Sequence, residues 1–439
     1  MAKTFRLGIN MNLLTKLITF SILSLFLCLG CHGIKEKKHS NAVYVAGSEE
    51  LVFLEQTGNI AELSRTKQYE LVKVAVENDW QILMRKLLEA NLDLGTDKLD
   101  VPGGMTALHI VKSAGMAKLL LEKGVEADIV SYDGCLTPLH IAKDAEIADI
   151  LVRYGADINA MPNGNETPLY IAAGDHNISL GTYLLSKGAD ANIKTGFSND
   201  TALFALYRFG NGNAWEDFDK NKELMGFHRK LLQKTDINIK DDEDNALLHF
   251  APTVSIAELL IDKGADINAS NKIGIAPLHN AIEYQDANLA LYLLSKGANV
   301  YSKNNKNETV LHNYFKSFSR RPFSNRKSGI CISKDKFELY DKLLKNVNVN
   351  VVNDEGETVL HLAAGLQSQY SYVKDLLEKN AKINIQDNKG QTPAHYAASC
   401  GNWNNLKELI DAGADLTIKD SKGKTPMDIL RERYPFIIQ

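Results

Sequence analysis

A chain of 439 residues with 44% hydrophobic residues exceeds one ordinary globular domain and has the apolar content of a folded protein. Its net charge of −4 gives no general signal for nucleic-acid binding. Of five cysteines, Cys28 and Cys31 lie in or beside an N-terminal apolar segment, and Cys135, Cys331 and Cys400 are far apart with no Cys-x-x-Cys pairing, so neither a zinc site nor a disulfide framework is suggested.

In chain order, Lys3, Arg6 and Lys16 precede an apolar run from Leu17 to Leu29, the pattern of a secretory signal peptide. Residues 1–30 carry three cations and no acid, so their removal leaves a net charge of −7. The run closes on Leu29-Gly30-Cys31, which resembles a bacterial lipobox. That resemblance implies cleavage before Cys31, lipid on its sulfur, and an exported, membrane-anchored lipoprotein at the periplasmic face or cell surface. One position departs from the motif: Cys28 stands where leucine is usual. Two other readings stay open. One is an uncleaved anchor, for which the run is short of the ~20 residues of a span. The other is ordinary cleavage with secretion. Residues 31–65 read as a tether, with the more apolar Ala42–Ala46 and Leu51–Leu54 suited to cap whatever follows.

From residue 66 to 431 the chain is periodic. The stretch Asp133 to Ala160 shows the unit. Thr137 caps a helix start and Pro138 takes the first helical position, where no amide donor is needed. A short first helix follows through Leu139, Ile141 and Ala142. A second helix carries Ile147, Ile150, Leu151 and Tyr154 in one apolar stripe and stops at Gly155. The start recurs at Thr106, Thr137, Thr167, Thr201, Ala246, Ala276, Thr309, Thr358, Thr392 and Thr425, with successive spacings between 30 and 49 residues. The closing phrase recurs as Gly155-Ala-Asp-Ile-Asn159, Gly188-Ala-Asp-Ala-Asn192 and Gly264-Ala-Asp-Ile-Asn268. Residues 66–98 lack the start but carry two apolar helices, as a terminal repeat does.

These residues closely resemble the ankyrin repeat, with its period of about 33 and its Thr-Pro-Leu-His helix start. The resemblance implies an all-α solenoid of about ten to eleven stacked helix-turn-helix units with short hairpin-like turns projecting from one edge. Repeats starting at Thr106, Thr137 and Ala246 are short. The missing residues fall between the two helices, at Ser113-Ala-Gly-Met, Lys143-Asp-Ala-Glu and Pro252-Thr-Val-Ser, and both helices are expected to survive. Two repeats are long, with insertions near 208–226 and 315–336, placed in the loop between helices. The first is acidic around Trp215–Asp219. The second is basic, about +6 from Lys316 to Lys336, with Phe315, Phe318 and Phe323 interleaved. Arg320, Arg321, Phe323, Arg326 and Lys327 make it a possible docking loop for an acidic protein or anionic lipid headgroups, against the reading of a solvated loop. The chain closes with a partial repeat from Thr425 and an apolar tail, residues 432–439, suited to cover the last helix pair.

The repeats carry little that could react. His109, His140, His249, His279, His312, His361 and His395 each occupy the fourth place of the start motif. One repeat apart, they stand about 10 Å from one another, too far to share a zinc ion with ligands at about 2.0–2.1 Å. The resemblance implies instead that each bonds backbone in the neighbouring turn. Neither a phosphate loop nor a nucleophile elbow occurs. The expectation is therefore no enzyme, no catalytic residue, no metal, no cofactor, no small-molecule substrate and no nucleic acid. The family resemblance implies binding of an unidentified protein partner along the concave face, through turn tips and inner helices. By motif position the tips are Tyr132, Asp133, Asn163, Asp200, Asp244, Lys272, Ile273, Asn307, Asp354, Glu355, Asn388 and Lys389. The leading expectation is a lipid-anchored interaction scaffold of the bacterial envelope. The alternative is a secreted protein acting on host proteins.

Overall fold

A computed structural model describes residues 60–90, 104–132, 134–164, 166–196, 198–209, 215, 218, 220–319, 334–368 and 370–435. The expectations for Cys31, Asp133, Arg320, Arg321, Phe323, Arg326, Lys327 and the end of the tail fall outside these residues. The described residues lie in one compact unit, Asn59–Gln439.

Among the described residues there are helices and no strands, only isolated bridges such as Thr195 to Asp200 and Lys303 to Thr309. The atypical first repeat forms α1 (Arg65–Glu77) and α2 (Gln81–Glu89). The next two repeats contribute α3 (Ala114–Glu122) and α4 (Ala145–Arg153). Full pairs follow in α5 (Pro168–Gly174) with α6 (Ile178–Ser186), and α7 (Ala202–Phe209) with α8 (Lys222–Lys234). A short repeat supplies α9 (Val254–Asp262), and then come α10 (Pro277–Glu283) with α11 (Ala287–Ser295). The last pairs are α12 (Val310–Ser319) with α13 (Lys334–Asn346), α14 (Val359–Gly365) with α15 (Tyr372–Glu378), and α16 (Pro393–Cys400) with α17 (Trp403–Asp411). A lone α18 (Pro426–Arg433) closes the stack.

Local chemistry explains these boundaries. Thr167 and Thr425 cap their helices by accepting from the amides of Tyr170 and Asp428, with proline at the next position. Second helices begin on Asp144, Asn177, Asn221, Asp286 or Asn402, each accepting from a first-turn amide. First helices pack on first helices, as α5 on α7, α10 on α12 and α14 on α16. Second helices pack on second, as α3 on α4, α6 on α8 and α15 on α17. Leu139, Leu151, Leu184, Leu260, Leu293 and Leu376 are fully buried between these layers. Each such leucine contributes about 1.5–3 kcal/mol, and helices of seven to nine residues need that burial to persist.

Two expectations are corrected. In the short repeats the first helix does not survive: it is a single 3-10 turn at Ala107–Ile110, Pro138–Ile141 and Leu247–Phe250. The chain leaves that turn extended at Val111, Ala142 and Ala251, so the missing residues come out of the helix as well as the loop. Neighbouring repeats answer the uncovered carbonyls. Asn177 Nδ2 donates to the carbonyl of Ala142, and Asn280 Nδ2 to that of His249.

The insertions are not wholly solvated loops either. Trp215 and Phe218 are buried, with ring centroids 5.5 Å apart, and Trp215 lies 6.0 Å from Tyr207 and 5.7 Å from His176. Tyr207 and His228 share a hydrogen bond of 2.7 Å beneath them. In the second insertion, Phe315 and Phe318 belong to the end of α12 and are buried against Tyr314, Tyr340 and Tyr372. These two rings build core and are withdrawn from any docking role.

Candidate functional site

The projecting turns share one construction. Asp241, Asn271, Asn304, Asn353, Asp387 and Asp420 each open a turn by accepting, on one side-chain oxygen, the amides two and four residues ahead. This side-chain turn is the local device that aspartate and asparagine supply. The turns are then laced together by backbone. The carbonyls of Ser198, Glu243, Ile273, Lys306, Glu355 and Lys389 accept, in order, the amides of Asp242, Lys272, Asn305, Asp354, Asn388 and Ser421 at 2.8–3.1 Å. Backbones this close leave no room for a side chain. At Gly274 (φ +77°) a Cβ would stand 2.7 Å from the Asn305 nitrogen.

A second ladder runs along the closing phrases. Side-chain oxygens of Asn159, Asn192, Asn268, Asn350 and Asn384 accept the amides of Asp190, Asp236, Asn299, Lys382 and Asp415. Tyr301 takes the equivalent asparagine's place in its repeat and is exposed.

On this frame the expected tip residues divide. Tyr132 is 72% exposed and Ile273 59%, while Lys272, Glu355 and Lys389 also face solvent. Asn163 and Asp244 sit exposed in left-handed conformations. Asn307, Asp354 and Asn388 serve the frame. Asn307 Nδ2 donates to Asp354 Oδ1 at 2.7 Å, and Asn388 Nδ2 to the Asp354 carbonyl at 2.7 Å. Asp200 is not a tip. It is 1% exposed at the foot of its turn, and Arg208 Nη1 binds its carboxylate at 2.7 Å. Its turn spans Thr195 to Asp200, one residue more than its counterpart from Asp241 to Asn245, which puts Ser198 and Asn199 at the end. Burial pushes the Asp200 carboxyl up to about 6 against the pull of Arg208.

Behind the turns, the inner face carries histidines and ion pairs. Nε2 of His109, His140, His249, His312, His361 and His395 donates across the repeat boundary to the carbonyls of Leu136, Glu166, Ile275, Glu357, Gln391 and Lys424, at 3.0–3.2 Å. Nδ1 accepts the amide of the motif's first residue, as from Thr358 at 3.0 Å. The structural role expected of seven rings holds for these six; the seventh, His279, accepts the Ala276 amide on Nδ1 at 3.2 Å, but its buried Nε2 has no hydrogen-bond partner among the described residues. Arg208 also meets Asp241 of the next repeat and lies 4.4 Å over the Phe250 ring. Lys316 repeats the device, binding Glu308 at 2.5 Å and Glu357 of the next repeat at 3.2 Å. Sequence reading missed these bridges. Their signal is an acid just before the helix start and a base eight residues on, as in Asp200 with Arg208 and Glu308 with Lys316.

Among the described residues, no three or more histidine, cysteine or acidic side chains are placed to hold a metal ion. The family model for ankyrin repeats matches residues 64–162, 108–195, 221–312 and 329–420, more than half of the chain. The chain belongs to the ankyrin-repeat family. This ankyrin-repeat chain is 30% identical over 148 residues to the putative ankyrin repeat protein FPV230 of fowlpox virus, covering 33% of its own length and 71% of the viral protein. It is 24% identical over 223 residues to the phosphocholine transferase AnkX of Legionella pneumophila, covering 50% of its own length and 22% of the transferase. It is 26% identical over 219 residues to the putative ankyrin repeat protein L371 of Acanthamoeba polyphaga mimivirus, 47% of this chain and 27% of that one. Ankyrin repeats are protein-interaction modules, and that coarse function carries over with the family.

Proposed function

We propose that this ankyrin-repeat protein is a non-enzymatic scaffold of the bacterial cell envelope, held to a membrane by lipid on Cys31 and binding a partner protein along its first-helix face and turns. The observation that carries partner binding is the exposure of large aromatic side chains on a tied frame. Tyr284, at the end of α10, is 75% exposed, and Tyr132 is 72% exposed. Aromatic anchors held rigidly lose little entropy on binding and supply most of an interface's energy. The lipid anchor is supported by the basic start, the apolar run and the Leu29-Gly30-Cys31 junction. Several acyl chains at about 0.8 kcal/mol per buried methylene would make the attachment effectively permanent.

The deciding measurement is the mass of the mature N-terminal peptide from membranes of the native host. Lipid on Cys31 supports the scaffold reading. An unmodified N-terminus following Gly30 favours the second reading, a secreted protein that acts on proteins of another organism. Partner binding has its own test. Tyr284→Asp should abolish cross-linking to the partner while leaving the melting curve unchanged, and an unchanged cross-link would remove Tyr284 from the interface.

A further inference from the structure

The turn edge is electrically polarised along the stack. On the turn segments before Lys272, exposed Glu126, Asp128, Asp157, Asp242, Glu243 and Asp244 outweigh exposed Lys194 and half-buried Lys240. From Lys272 onward the balance reverses. Exposed Lys272, Lys303, Lys306, Lys389, Lys419 and Lys422 outweigh Asp354, Glu355 and Asp415. Between the halves stands the apolar tip of Ile273, 59% exposed. The backbone ladder from Ser198 to Ser421 holds the turns from Asp242 to Lys422 in a fixed order.

We infer that the turn edge is a pairing surface for a second copy of this chain, laid antiparallel with its two-fold axis at Ile273. A two-fold contact must be self-complementary. With the axis at Ile273, each turn meets the turn equally far on the other side. Ile273 meets its own copy. Asp242, Glu243 and Asp244 meet Lys303 and Lys306. Asp157 meets Lys389, and Glu126 with Asp128 meet Lys419 and Lys422. The mismatches are the turn of Asp354 and Glu355, which falls opposite Asp190 and Lys194, Lys272 beside the axis, which meets its own copy, and Asp415, which shares the segment facing Glu126 and Asp128. An apolar centre flanked by complementary charge is the usual anatomy of a specific interface. The surface is long enough: turns about 10 Å apart across nine repeats supply the ~800 Å² per partner that a stable contact needs. The pairing leaves the first-helix face around Tyr284 open for a different protein.

The test is a charge swap on the full chain in detergent, read by sedimentation equilibrium at about 50 mM and about 500 mM salt, since ionic contacts weaken as the screening length shortens. The wild type should be dimeric at low salt and shift toward monomer at high salt. The double variants Asp242→Lys/Glu243→Lys and Lys303→Glu/Lys306→Glu should each be monomeric, and an equimolar mixture of the two should recover the dimer. Ile273→Cys should form a covalent dimer on mild oxidation that the wild type, with its native cysteines, does not. All positions changed are exposed, and unchanged melting checks that each variant folds. A wild type that is monomeric at both salts, or reversals that leave a dimer intact, would overturn the proposal.

Discussion

Nε2 of His361 lies 3.1 Å from the carbonyl oxygen of Gln391, the residue that immediately precedes the next helix start at Thr392. One imidazole thereby ties its own helix start, through the Thr358 amide on Nδ1, to the turn of the following repeat. His361→Ala should therefore cost more than the lost ring packing. Two buried backbone groups, the Thr358 amide and the Gln391 carbonyl, would lose their partners, at about 1–3 kcal/mol each for an unsatisfied group. Urea unfolding monitored by circular dichroism should show the loss. A midpoint equal to wild type would show that water replaces the ring without penalty.

The same rings set the response to acid. Burial holds His279 and His312 down to about 4, and lowers His140, His249, His361 and His395 as well. In the unfolded chain each ring takes its proton near 6.5. Below that pH the unfolded state binds more protons than the folded one, so stability is full above about 6.5 and falls as pH drops toward 4. Each ring contributes about 1.4 kcal/mol per unit of difference. Urea midpoints at pH 7 and pH 5 should differ clearly, with the lower at pH 5. Equal midpoints would mean that the rings protonate without leaving their sites.

Two glycines separate conformation from crowding. Gly264 has φ +92°, and a Cβ added there would meet nothing within 4 Å, so Gly264→Ala carries only the left-handed penalty, about 1–2 kcal/mol. Gly274 has φ +77° and the Asn305 nitrogen 2.7 Å from where its Cβ would stand, so Gly274→Ala adds a backbone clash that opens the ladder. It should be the more destabilising of the two. Amide exchange should also quicken at Asn305 in Gly274→Ala and stay slow there in Gly264→Ala.

Trp215→Ala should cost about 3–5 kcal/mol, the range for a buried aromatic. Its ring is packed by Tyr207, His176 and Phe218. A change within about ±0.5 kcal/mol, the range of an ordinary surface site, would return Trp215 to the status of a loop residue.

Much of the frame was legible because it is periodic. Thr-x-Leu-His starts, Gly-Ala-Asp closings and second-helix stripes repeat often enough to fix the register from Thr106 to Thr425. What was illegible is local. Ile110, Ile141 and Phe250 sit where a helix would continue, and only the count of residues before the next cap decides between a turn of 3-10 helix and two turns of α-helix. Trp215, Phe218, Phe315 and Phe318 lie in stretches without a period, and an apolar residue without a period does not say which wall it packs on. Asp200 and Arg208 are eight residues apart, and their meeting depends on the return path of a helix. Among the tips, Ile273 and Lys389 project as expected, whereas Asn307 and Asn388 spend their amides on neighbouring turns.

Every tie described for the histidines, the asparagines and the turn backbones crosses a single boundary and reaches no further. Under a pulling force such a chain has no shared bolt whose failure releases the whole. Extension would come in steps, one repeat peeling from an end while the remainder keeps all its own ties. A stack held at one end and loaded at the other would therefore yield gradually, behaving as a spring with many short stages and refolding from whatever stack survives as its template.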